Sequence, residues 1–237
     1  MKNTPKMIGL GFHACMSLFA LWLVLAWPGA VPANPSICAK TENTHGIHAL
    51  LADPIDMPKL AAYLDGLDNR QRQDQIASLT KDEERRLFEA AKGFRPLTPD
   101  YYVTSVTPPL TEITYKGKNT LPVLTHFEKR FCRPDRPTSE PQVWGYNQNP
   151  LTRLVGPGYF VAKQAPGGEV VIDYNEIPPA KVKSWPRIKA NSEGLQRFIY
   201  YQACDYMRGV SKHVSVGHVT MNGEFRDMWF VLCRNEE

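Results

Sequence analysis

The dipeptide Asn222-Gly223 constrains this chain more than any other feature, because it sits between two long apolar runs, Val214 to Met221 and Glu224 to Cys233. Both residues tolerate the positive φ of a two-residue turn, so the flanking runs should pair as an antiparallel hairpin. The second arm contains Met228-Trp229-Phe230-Val231-Leu232, apolar at successive positions. Such a strand must be covered on both faces, beneath a helix or inside a closed sheet.

Strand-like periodicity begins well before that hairpin. Val143 to Tyr146, Leu151 to Val155, Tyr159 to Lys163 and Val170 to Tyr174 read as strands, with Gly156-Pro157-Gly158 and Ala165-Pro166-Gly167-Gly168 as turns. A helix is expected from Asn191 or Ser192 to Gly209, with Leu195, Phe198, Ile199, Ala203 and Tyr206 on one face. Glu112 to Tyr115 reads as a short strand and Lys116 to Asn119 as a turn. Thr120 to Phe131 then places Leu121, Leu124, Phe127 and Phe131 at helical spacing.

Further upstream the period is helical from Thr44 to Gly93. Asp56 can cap a helix bearing Leu60, Tyr63, Leu64 and Leu67, and Thr80-Lys81-Asp82-Glu83 has the form of a capping box. Pro96, Pro99, Pro108 and Pro109 surround Tyr101 to Val106, which reads as extended chain or linker. Helical runs preceding strand runs predict an α+β fold. It consists of an N-terminal helical segment followed by a curved antiparallel sheet or partial barrel with packed helices. The expected organisation is a signal peptide over 1–33, the helical segment over 34–98 and an α+β barrel-like domain over 99–237.

The leader is read from Lys2 and Lys6 ahead of an uncharged run from Met7 to Trp27, ended by Pro28 and Gly29. Val31-Pro32-Ala33 supplies small residues for cleavage before Asn34, so the protein is expected to be exported, to a periplasmic or extracellular destination. Left uncleaved, the run approaches the roughly 20 residues that span a bilayer, and this is the only membrane contact expected. Export permits disulfides. Cys15 leaves with the leader, while Cys38, Cys132, Cys204 and Cys233 form an even set with three possible pairings. At least one bridge is expected, Cys132 or Cys204 to Cys233, if the final strand is central.

No stretch of sequence fixes a reaction. A net charge of +4 is too small to argue for nucleic acid. The cysteines lack the close spacing of a zinc site, and His45-x-x-His48 lacks the glutamate and spacing of a zinc protease, so no metal is expected. There is no Gly-x-Ser-x-Gly elbow and no phosphate-binding loop; no cofactor is expected either. His213 and His218 differ by an odd number and point to opposite faces of a regular strand.

What remains is a concentration of aromatic residues in the C-terminal half. The expected function is non-catalytic binding of a small apolar or amphipathic ligand. Trp144, Tyr159, Tyr206 and Trp229 would line the cavity, and Arg208, His213 and His218 would orient a headgroup. The alternative is an envelope protein–protein interaction module. A third reading, a hydrolase or isomerase, would ask His213 or His218 to move protons.

Trp144-Gly145, Gly158-Tyr159-Phe160, one packed helix and an apolar closing strand together resemble the lipocalin-like (calycin) barrels, over residues 143–234. The resemblance implies an interior that holds small apolar ligands. The family's Gly-x-Trp is not reproduced, and the expected helix precedes the final hairpin. The whole chain looks like exported bacterial proteins of unassigned activity.

Overall fold

The hairpin expected around Asn222-Gly223 is formed, and it closes a barrel. The computed structural model describes residues 46–120 and 125–236; the expectations for the leader, Cys38 and His45 lie outside them. Eight antiparallel strands follow in order: β1 (Ile113–Asn119), β2 (His126–Cys132), β3 (Gln142–Gln148), β4 (Phe160–Ala165), β5 (Glu169–Asp173), β6 (Ala203–Gly209), β7 (Val214–Met221) and β8 (Glu224–Arg234). Each pairs with the next, and β8 returns to β1, with Gly117 opposite Leu232. Closure is therefore complete rather than partial, which leaves no open sheet edge. Asn222 (φ 56°) and Gly223 (φ 79°) both occupy the left-handed region that a type I′ turn demands.

Several expected elements take another form. Lys116 to Asn119, expected as a turn, is the second half of strand β1, paired with both β2 and β8. Thr120 to Phe131 is not helical: its described C-terminal part is β2, held by β1 on one side and β3 on the other. The helix expected to reach Gly209 is reduced to a 3-10 turn at Gly194–Gln196 and one turn of α-helix at Arg197–Tyr200; Ala203–Gly209 is strand β6. Hydrogen bonding to β5 and β7 overrides the helical spacing there. Leu151 to Val155 forms a helical turn, Thr152–Val155, instead of a strand.

Helices precede the barrel: α1 (Ile47–Leu50), α2 (Met57–Gly66), α3 (Asn69–Ala77), α4 (Lys81–Ala90) and the short α5 (Pro99–Tyr102). Asp56 caps α2, and the capping box at Thr80 is complete: the Thr80 amide donates to Glu83 Oε2 at 2.8 Å. The strand period of two divides β8 between two cores. Trp229, Val231 and Cys233 face outward and are buried with Leu60, Leu64, Leu87 and Phe88 of the helices. Phe230 and Leu232 face the barrel interior. The doubly apolar strand is thus covered by helices on one side and by the closed sheet on the other. A third cluster lies outside β3 and β4, where Trp185 packs on Tyr146 and Tyr159.

The two mouths of the barrel are closed differently. At the mouth where β1 begins, the segment expected as an extended linker is instead a plug. Leu97, Tyr102 and Val103 are buried in the interior core, and Tyr102 stacks on Phe131 at 4.7 Å. At the mouth where β1 ends, residues 190–200 cross as a lid. Tyr200 stacks on Tyr174 at 5.2 Å, and Asn191 donates to the carbonyls of Tyr159 and Tyr174, both at 2.7 Å.

The expected disulfides are absent: Cys132, Cys204 and Cys233 are free thiols. Register explains this. Cys204 pairs with Thr220 and Cys233 with Val214, so six residues of β7, about 20 Å of strand, separate them. Cys132 and Cys233 lie on strands flanking β1, and Cys233 sits opposite Lys116 while Phe131 sits opposite Ile113. Strand spacing alone exceeds the roughly 7 Å limit between bridged Cα atoms.

Candidate functional site

The alternation Phe127-x-Lys129-x-Phe131 on β2 sends a lysine into the barrel. Its ammonium is bound by Asp205 of β6 (3.0 Å), by Asn147 Oδ1 of β3 (2.9 Å) and by the Tyr174 hydroxyl. Tyr174 also donates to Asp205 Oδ2 at 3.0 Å, and Asn147 Nδ2 donates to the Gly158 carbonyl at 3.1 Å. The rings of Phe127, Phe160, Tyr174 and Phe230 surround the charge at 5.0–5.6 Å. Cation–π attraction and the carboxylate compensate a desolvation that would otherwise be prohibitive. Burial pushes the Lys129 pKa down, opposed by the Asp205 charge beside it. Burial raises Tyr174 well above its ordinary range, and the Asp205 charge adds to this.

The space around this network is taken by rings. Phe127 lies opposite Gly117, Phe160 opposite Gly145 and Phe230 opposite Gly217. A Cβ at any of these glycines would overlap the facing ring. Three phenyl groups thus occupy the volume that three side chains surrender, which is how a small barrel fills its centre. Tyr200 covers the network from the lid.

None of the residues expected to bind a ligand lines this interior. Trp144 and Tyr159 are brought together, but in the outer cluster beside Trp185. Tyr206, His218 and Trp229 lie abreast across β6, β7 and β8 on the outer wall. There His218 stacks between Phe225 (4.5 Å) and Trp229 (4.6 Å), with its Nε2 2.7 Å from the Arg226 carbonyl. Arg208 lies over the Phe88 ring at 3.8 Å and donates to Glu169 at 2.6 Å, joining helix α4 to the wall. His213 stands apart at the other end of β7, its Nδ1 2.9 Å from Glu236 but without hydrogen-bond alignment. Burial lowers the pKa of both histidines, so both favour the neutral form. His48 is held by Glu83 at 2.7 Å and by Ser78 at 3.1 Å. Among the described residues, no three His, Cys, Asp or Glu side chains gather to hold a metal ion.

No family model, curated protein or solved structure matches this chain. Its site must be found in its own surface.

Clefts open on the outside of the barrel. One, of about 650 Å³, lies between α3 and the strands β1 and β2; another, of about 370 Å³, is bounded by Cys204, Tyr206, Thr220 and Phe225. The Cys204 thiol on the second is pushed up to about 12, by burial first and then by Asp173, so it is a poor nucleophile. The larger unspent apolar surface is on the lid. Gln196 and Tyr200, four residues apart, turn inward, while Leu195, Phe198, Ile199 and Tyr201 are exposed, Phe198 at 56%. The adjacent turn adds Leu154, exposed at 60%. Leu195, Phe198 and Ile199, expected on one face of a helix, face outward here. An apolar residue's type does not reveal whether its partner belongs to the same molecule.

Proposed function

We propose that this protein is a non-catalytic docking module of the cell envelope: a filled barrel that presents the apolar outer face of its lid to a partner. The observation that supports this reading is the occupied interior, where the phenyl rings opposite Gly117, Gly145 and Gly217 and the Lys129–Asp205 pair stand where a bound ligand would lie. A barrel filled this way works as a scaffold, and the exposed Phe198 face is the surface it holds out. Export, argued from the leader, supports the envelope as the place of action.

A second reading, binding of a small amphipathic ligand, keeps one foothold in the 370 Å³ cleft beside Tyr206 and Phe225. Two measurements separate the two. A photo-crosslinker placed at Phe198 in the producing cell should trap an envelope component, while native mass spectrometry of the purified protein should show no added small-molecule mass. A stoichiometric small molecule lost on changing Tyr206 to Ala, with no crosslink from position 198, would reverse the order.

A further inference from the structure

Resting on that docking reading, we propose that the lid face seats on an anionic phospholipid surface. Leu154, Leu195, Phe198, Ile199 and Tyr201 would enter the interfacial region, and Arg153, Lys189 and Arg197 would meet the headgroup phosphates.

Apolar and cationic groups are combined on this face. Residues 181–201 carry five basic side chains (Lys181, Lys183, Arg187, Lys189 and Arg197) against one acid, Glu193. Two cations stand at the apolar face itself and a third precedes exposed Leu154 in the chain. The Lys189 ammonium lies beside Gly194, the Arg197 guanidinium sits 5.0 Å from the Phe198 ring centroid, and Arg153 adjoins Leu154. None of the three makes an ion pair among the described residues, whereas Arg130, Lys163 and Arg208 elsewhere on the barrel each hold a carboxylate.

Uncompensated cations around an apolar knob call for a partner that supplies anionic charge and hydrocarbon together. An anionic bilayer does so at the depth an amphipathic turn reaches, about 5–10 Å. Tyr201, with an apolar ring and a polar tip, suits the headgroup level. The inward side chains fix the geometry. Gly158 donates to Gln196 Oε1 at 3.3 Å and Tyr200 rests on Tyr174, so the outward residues project from a supported turn.

Hydrogen–deuterium exchange on the full chain reads the contact locally. Vesicles of phosphatidylcholine with about a third phosphatidylglycerol should protect residues 194–201, and pure phosphatidylcholine should protect them far less. The triple variant R153E/K189E/R197E should raise the lipid concentration for half-protection about a hundredfold, since each cation near the surface contributes about fivefold. The double variant F198S/I199S should abolish protection while the barrel strands keep their native exchange. Equal protection on neutral vesicles, none on anionic ones, or protection without lipid that disappears on dilution, indicating a second copy, would each overturn the proposal. If lipid fails but the position-198 crosslinker traps an envelope protein, docking stands and its lipid partner falls; if both fail, both readings fall.

Discussion

The two mouths of the barrel are stopped by short segments of opposite character. At the first, Leu97, Tyr102 and Val103 are all buried. The strands grip this plug through its backbone: Gln164 donates to the Leu97 carbonyl at 2.9 Å and the Tyr115 hydroxyl to that of Tyr101, also at 2.9 Å. At the second mouth only Gln196 and Tyr200 of the crossing turn face inward, and the side chains between them point outward. One closure is devoted to the core. The other has an inner face that stabilises and an outer face left for another surface, so sequence analysis that counts apolar residues cannot tell them apart.

The largest expected effect lies between the mouths. Lys129→Ala should destabilise by about 3–5 kcal/mol, because Asp205 is left charged and unpaired in the interior, whereas the double change Lys129→Met with Asp205→Leu should recover most of that loss. Urea unfolding of both variants checks this, and equal loss in the two would show that the pair is not an isolated buried couple. Next, Tyr102→Ala should cost about 3–4 kcal/mol and Tyr200→Ala about half as much, since the lid can relax toward solvent and the plug cannot. Equal costs would erase the distinction between the mouths.

A pH scan probes the helix layer instead. Glu84 is buried with Oε2 unpartnered and Oε1 2.8 Å from Lys118; burial raises its pKa from 4.5 to about 7, against the opposing pull of Lys118. The folded state therefore holds a proton that the unfolded chain releases near pH 4.5. Its contribution is full below pH 4.5 and is lost as pH rises through about 7, a fall of about 3 kcal/mol. Glu84→Gln should flatten that slope in denaturation curves at stepped pH; an unchanged slope would place the titration elsewhere. The smallest effect belongs to the lid's outer face: Phe198→Ser should change stability by no more than about 0.5 kcal/mol, as measured by thermal unfolding. A large loss would mean that the ring is packed and that the two closures are alike.

Much of the wall was legible in sequence, and the two strands read as helix share a cause. Asn222-Gly223, the doubly apolar β8 and the Thr80 capping box each carry a local signal that tertiary structure reinforces. The two strands read as helix, β2 and β6, are those that bear Lys129 and Asp205 on their inward positions. A charge at an interior position breaks the apolar alternation by which a strand is recognised, and the remaining apolar residues then fall at helical intervals. Because neither residue could be placed inside without its partner, the network with Asn147 and Tyr174 was invisible too. Arg208 and His218 were read as headgroup contacts because nothing local shows that Phe88, 120 and 130 residues away along the chain, would claim them.

The ring-over-glycine couples at the centre of the barrel also govern how this sequence can drift. A methyl group at Gly117 has nowhere to go until the facing Phe127 has shrunk, and a shrunken ring leaves a void until the glycine grows; at Gly217 Met207 must give as well as Phe230, and at Gly145 the Arg130 carbonyl bars a side chain even without Phe160. The first couple therefore has a low-fitness intermediate on either side. Gly117 and Phe127 should be inherited as a two-letter word, changing together or not at all, while Gly217 shares its space with Met207 as well as Phe230 and Gly145 is closed by the Arg130 carbonyl whatever ring faces it.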